Sequence, residues 1–206
     1  MSKIIKRSFC AEMRAVEDTE QTNEMIVEGY ALRFNEDTVI GQAPWGWIES
    51  IKREAMNSAD ISDVVLNMNH DDSKLVARTL NKSLELIVDD VGLKIRGVIA
   101  NTQIGRDFYE LVKNGLITTM SFCAYVKKSQ WTESVDEEMD RRDIVEFGRF
   151  FDVSGVTFAA YPQTEIAASR DSSGGGIDED ARKHFKEKEY RKQIKELDKI
   201  MEEIYE

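Results

Sequence analysis

Gly115-Leu-Ile-Thr-Thr-Met-Ser-Phe-Cys-Ala-Tyr-Val126 is the stretch on which the reading of this sequence turns. Its β-branched and aromatic content predicts a strand. The preceding run, Ile104-Gly-Arg-Asp-Phe-Tyr-Glu-Leu-Val-Lys113, places Ile104, Phe108, Leu111 and Val112 on one face of a helix. Asn114-Gly115 supplies the helix stop. Alternation along the strand then puts Thr119, Ser121 and Cys123 on one face and Met120, Phe122 and Ala124 on the other. Two nucleophile-type side chains, Ser121 and Cys123, therefore point the same way. A serine in an apolar strand is ordinarily a satisfied core hydroxyl, so a chemical role for Ser121 requires a base.

Working outward, residues 3 to 16 and 24 to 34 read as strands, and the polar segment 17 to 23 between them suggests a hairpin. Residues 43 to 51 read as a loop and short strand in which Trp45 and Trp47 serve packing. A short helix over 52 to 59 precedes an apolar strand at 63 to 69 that ends at His70. Segments 75 to 80, 84 to 89 and 92 to 100 have the spacing of an antiparallel meander. The polar, acidic segment 127 to 140 reads as an exposed loop, and 144 to 158 returns to strand with Asp152 inside it. The expected fold is α+β, predominantly antiparallel β, with a closed or nearly closed β-barrel and peripheral helices, because closure protects strand edges.

Past Pro162 the character of the chain changes. Ala168-Ser-Arg-Asp-Ser-Ser-Gly-Gly-Gly176 is a linker by composition. Residues 178 to 206 are charged in both signs, with Tyr190, Ile194, Leu197, Met201 and Ile204 forming a short coiled-coil-like stripe. The expected organisation is a domain over 1–168, a flexible linker over 169–177 and a C-terminal helix over 178–206 suited to self-association or partner docking.

With 206 residues and a 41% hydrophobic share, the chain can build one real core plus an appendage. Its net charge of −11 argues against nucleic acid or an anionic membrane as partner. There is no signal peptide and no apolar run approaching the roughly 20 residues of a membrane span, which predicts a cytoplasmic protein. Cys10 and Cys123 are too few for a disulfide framework and fit a reducing compartment.

The search for a base is short because the chain has two histidines. His184 lies on the charged C-terminal helix and reads as an exposed surface residue. His70 stands at a strand-to-loop junction, where functional groups are commonly displayed, and is the candidate base. A serine hydroxyl becomes nucleophilic when an imidazole removes its proton, and a third group can fix the imidazole's tautomer. Asp152, between Phe150-Phe151 and Val153, is an acid whose setting demands a partner. A Cys123–His70 pair is a competing arrangement, although a buried inert thiol is the commoner state. A metal site at His70-Asp71-Asp72 is disfavoured because adjacent side chains rarely converge on one ion.

Several blocks occur in an informative order: Glu28-Gly-Tyr-Ala-Leu-Arg-Phe-Asn35, Leu66-Asn-Met-Asn-His-Asp71, Ala77-Arg-Thr79, Gly92-Leu93, Gly115 to Phe122, and Asp152-Val-Ser-Gly-Val-Thr-Phe-Ala-Ala-Tyr-Pro162. Over residues 25 to 165 the chain resembles the prohead proteases of tailed bacteriophages, a capsid-maturation serine protease family related in fold to herpesvirus assemblins. The resemblance implies His70 as base, Ser121 as nucleophile and Asp152 as third member. It departs from the family pattern at Cys123 and Ala77, where glycine is frequent, and at Asp152, where glutamate is usual. Arg78, following the His70 loop with a positive charge, is an auxiliary candidate for stabilising an oxyanion. The implied substrates are the phage major capsid protein with its scaffolding segment, and the protease itself, inside the immature capsid in the host bacterium. No cofactor is expected. The competing class is a non-catalytic capsid assembly or docking module with a protease-like fold.

Overall fold

The computed structural model describes residues 3–9, 13–16, 24–43, 45–134, 139–158 and 179–205. Among these residues the fold is mostly β, with two α-helices. Its trunk is β11 (Asp140–Val156), which pairs antiparallel along its length with β10 (Thr119–Thr132). The other edge of β11 is shared. Its first residues pair in parallel with β5 (Trp47–Ile51), and its last with β6 (Val65–Met68). β1 (Lys3–Phe9) borders β10, β4 (Thr38–Ile40) borders β5, and β7 (Asp71–Arg78) borders β6, which completes a seven-stranded mixed sheet. A second, antiparallel sheet has the order β2 (Arg14–Val16), β3 (Ile26–Arg33), β9 (Gly92–Val98), β8 (Leu84–Val88).

The core lies between the sheets and under α1 (Gln103–Lys113). Met120, Phe122 and Ala124 of β10 enter it, as do Phe147, Phe150 and Val153 of β11 and Val27, Ala31, Leu93 and Ile95 of the second sheet. The rings of Phe122, Phe147 and Phe150 meet at 5.0–5.7 Å between centroids. Pairs of this kind add about 1 kcal/mol each beyond the burial of their area. α1 is capped by the Thr102 side chain, which accepts from the Gly105 amide, and is stopped at Gly115, whose φ of +69° an L side chain adopts only with strain. Gly92 answers a close approach instead: a Cβ there would stand 2.0 Å from the Leu32 carbonyl oxygen.

The expected barrel is replaced by these two sheets. Among the described residues no strand ladder joins them or closes either into a ring, since the free edge of β11 is divided between two parallel partners. The sheets are linked by side-chain packing and by single backbone hydrogen bonds at strand ends, such as the Asn35 amide to the Ile51 carbonyl at 2.8 Å and the Ala100 amide to the Val76 carbonyl at 2.9 Å. The segment read as one strand over 3 to 16 divides between the sheets, so only β2 and β3 form the expected antiparallel pair. The expected meander is likewise split: β8 and β9 pair with each other, whereas β7 belongs with β6. The 52 to 59 helix is a single 3-10 turn, Arg53–Met56.

Segment 127 to 140 departs most from its sequence reading. Residues 127–132 form the end of β10 and Asp140 opens β11, and the first turns of α2 (Glu179–Tyr205) pack on Ser129, Trp131 and Asp140. Ala181 and Phe185 pack on Trp47 and Trp131 in a second small core. Asp180 accepts from Ser129 Oγ at 2.5 Å and Trp131 Nε1 at 3.1 Å, and pairs with Arg142 at 3.1 Å. Arg142 is buried and also holds Glu49 at 3.1 Å. His184, expected at the surface, is instead stacked on Trp131 at 4.2 Å and hydrogen-bonded through Nε2 to Asp140 Oδ2 at 2.7 Å. The predicted stripe lies beyond this dock, with Tyr190, Ile194, Leu197 and Met201 exposed. The linker at 169–177 lies outside the described residues, as does Cys10.

Burial pushes the Asp140 carboxyl up, but its hydrogen bonds with Lys188, the Ser134 amide and His184 outweigh that effect and hold it below its ordinary 3.8. A depressed folded value means that this carboxylate stabilises the fold above its ordinary titration and ceases to do so as pH falls through the folded value. The stability advantage of the natural chain over Asp140→Asn should therefore be full at pH 7 and shrink below about pH 4. Urea unfolding followed by tryptophan fluorescence at both pH values checks this, and an advantage that does not change with pH would contradict it.

Candidate active site

The register of three neighbouring strands assembles the site. Ser121 on β10, Ser154 on β11 and Asn67 on β6 stand abreast, and Cys123, Asp152 and Val65 form the next row. Paired residues project to the same side of a sheet, so Ser121, Ser154 and Asp152 share the face opposite the phenylalanine cluster. His70 reaches that face from the turn after β6. Asn69 and His70 have φ values of 56°, a left-handed pair that costs roughly 1–3 kcal/mol per residue when the surroundings must enforce it. The surroundings do enforce it here. The Asn69 amide donates to the Gly155 carbonyl at 3.0 Å, the Asn69 side chain accepts from the Thr157 amide at 2.9 Å, and the His70 amide donates to Ser154 Oγ at 3.2 Å.

The turn delivers the imidazole between Ser121 and Asp152. His70 Nε2 lies 2.7 Å from Ser121 Oγ, and Nδ1 lies 2.6 Å from Asp152 Oδ1. A carboxylate facing Nδ1 fixes the proton of a neutral imidazole there and leaves the Nε2 lone pair toward the serine. Ser121 is wholly closed to solvent, while the His70 and Asp152 side chains keep 13% and 8% of their exposure. Ser121 Oγ also lies 2.9 Å from the Arg7 carbonyl oxygen of β1. The hydroxyl has one proton, so Arg7 and His70 compete for it.

The three residues named through the resemblance thus form one hydrogen-bonded chain, and the shorter Asp152 side chain spans the gap to His70. Arg78 stands apart from it: its guanidinium forks onto Asp63, with Nε at 2.7 Å from Oδ1 and Nη2 at 2.9 Å from Oδ2. Cys123 neighbours the site without a hydrogen bond to His70. Burial, and then the charge of Asp152, pushes its thiol up to about 12. Such a thiol remains protonated at neutral pH. Ser154 and Asn67 were missed in the sequence reading. Ser154 could have been found by period-two counting from Asp152, whereas nothing local marks Asn67.

A family model described as the caudovirus prohead serine protease matches residues 11–175, a span that holds His70, Ser121 and Asp152. No curated protein matches the chain. Among solved structures, the capsid assembly protease gp21 of bacteriophage T4 aligns with a TM-score of 0.48 at 10% identity, covering 75% of this chain and 98% of that one. Since the family model spans most of its length, the chain belongs to the caudovirus prohead serine protease family and is a serine peptidase.

Proposed function

We propose that Ser121, His70 and Asp152 are the catalytic nucleophile, base and orienting acid of an endopeptidase that processes capsid scaffold and itself during prohead maturation. The observation that carries this reading is the pair of contacts on one imidazole, at 2.7 Å to the serine and 2.6 Å to the carboxylate. In the acylation step Ser121 Oγ attacks the scissile carbonyl as its proton passes to His70 Nε2, and Asp152 stabilises the imidazolium through Nδ1–H. The imidazolium then gives the proton to the leaving amine. Water, deprotonated by the same nitrogen, releases the acyl group and restores Ser121. Backbone amides would meet the oxyanion, a role that Arg78 does not support while its guanidinium is held by Asp63. Because Ser121 is closed to solvent, an entering peptide has to displace part of its cover, and the Arg7 carbonyl is in direct contact with the hydroxyl.

The family supports capsid or scaffold protein as partner and the immature capsid as the place of action. The scaffolding segment of the major capsid protein is the substrate proposed here, with a second cut in the 169–177 linker joining the 1–168 catalytic domain to the C-terminal helix. The relation in fold to herpesvirus assemblins and the setting in the host cytoplasm belong to the same proposal. Docking is a second role rather than a rival one. The exposed stripe of Tyr190, Ile194, Leu197 and Met201 favours α2 as a contact for capsid subunits or for a second copy.

Ser121→Ala and His70→Ala should each abolish processing of the capsid precursor, and Asp152→Asn should slow it about 10⁴-fold, as loss of the orienting acid does in other serine proteases. Intact masses during co-assembly read this directly, and undiminished fragments from Ser121→Ala would overturn the assignment. Cys123→Ala should process normally, because the thiol in this site stays protonated. Loss of cleavage in Cys123→Ala with retention in Ser121→Ala would instead identify a cysteine hydrolase.

A further inference from the structure

We propose that Ser154 is a positioning residue for this reaction, holding the base and its carboxylate in one arrangement through a single hydroxyl. The proposal rests on the catalytic reading of Ser121 and His70. Ser154 is fully buried on β11, directly between Ser121 on β10 and Asn67 on β6. Its Oγ is within hydrogen-bonding distance of four groups: the His70 backbone amide at 3.2 Å, His70 Nδ1 at 3.1 Å, Asp152 Oδ1 at 3.0 Å, and the Asn67 side-chain amide.

A hydroxyl donates once and accepts twice, so these four contacts restrict one another. The His70 amide can only donate, which fills one acceptor position. Asp152 can only accept, which claims the single proton. Asn67 must then donate to the hydroxyl through Nδ2, the atom otherwise buried without a partner, which an exchange of the amide's oxygen and nitrogen brings to face Ser154. The Nδ1 proton of His70 lies mainly toward Asp152 Oδ1 at 2.6 Å, with Ser154 Oγ beside it. Asp152 thus receives two donors on the oxygen that faces the ring. The same hydroxyl accepts from the main chain of His70, at a residue whose φ of 56° needs external support. One atom therefore ties the backbone of the base to the carboxylate that orients its ring. Deleting it should loosen the angle at which Nε2 meets Ser121 while leaving the peptide-binding surface unchanged.

Labelling of Ser121 by a serine-directed fluorophosphonate, in particles assembled from the full chain and its capsid precursor, tests this. Ser154→Ala and Ser154→Val should cut the saturating rate 10- to 100-fold, with the half-saturating probe concentration within about twofold and the melting temperature lower by only a few degrees, the loss expected when the buried His70 amide and Asn67 lose a partner. Ser154→Thr, which has the shape of Val but keeps the hydroxyl, should recover most of the rate. In an Asp152→Asn background, Ser154→Ala should cost little more, because the carboxylate it serves is already gone. A wild-type rate in Ser154→Ala, or a Thr variant no faster than the Val variant, overturns the inference and leaves the nucleophile assignment intact. Persistent labelling in Ser121→Ala would overturn the catalytic reading itself, and this inference with it.

Discussion

The structure depends on β11 being paired along both edges at once. A 17-residue strand bordered by β10 on one side and by β5 and β6 on the other has few ways to slip. A one-residue shift would turn Phe147, Phe150 and Val153 away from the core and carry Asp152 and Ser154 into it. Packing and chemistry are thereby locked to the same register. The aromatic cluster penalises any slip, and each penalty also protects the alignment of Ser121, Ser154 and Asn67. The site is accurate because it sits on three strands whose relative position is enforced from the opposite face.

The histidine is the exception, since it stands just beyond the end of β6 in a turn. Loops are ordinarily too mobile for a contact that must hold within a few tenths of an ångström. Here the backbone is secured at every step: Asn69 and His70 use main-chain and side-chain groups to bind Gly155, Thr157 and Ser154 at the end of β11. A left-handed conformation at two successive residues is maintained because the strand that carries the acid also carries the partners of the turn. His70 and Asp152 are positioned by one element.

What could be read in advance follows from how far each signal reaches along the chain. The α1 helix, its stop at Gly115 and the alternation of Met120 and Phe122 against Ser121 and Cys123 are local, and period counting found them. Strand partners are not local. The 3 to 16 segment has one composition throughout, and nothing within it says that β1 borders β10 while β2 borders β3. The 127 to 140 segment looked like a loop because its polar residues were judged against solvent. Ser129 and Trp131 in fact meet Asp180, roughly 50 residues later in the chain. At the site, His70 was accessible through scarcity, and Ser121 and Asp152 through their apolar settings, while the resemblance was needed to join the three, one of them drawn from 39 acids, into a set. Ser154 escaped because a serine in a strand is the least informative of polar residues until its neighbours are known.

The two histidines show how little the residue type decides. Both contact a carboxylate, His70 meeting Asp152 at 2.6 Å and His184 meeting Asp140 at 2.7 Å. Their surroundings differ in what lies on the remaining sides. Lys188 shares the Asp140 carboxylate at 2.7 Å, so its charge is already answered, and the His184 ring lies flat on Trp131, where it serves as a packing surface. No hydroxyl among the described residues hydrogen-bonds that ring. Among the described residues no lysine or arginine hydrogen-bonds Asp152, so its carboxylate faces the imidazole, whose far nitrogen meets a serine. Under the proposed roles, a positive charge developing on His70 would face a carboxylate that no lysine or arginine hydrogen-bonds among the described residues, the electrostatic condition for a base that gains and returns a proton in each cycle. The His184 pair has the components of that arrangement without its polarity, and its geometry fits it to fastening α2 onto the sheet.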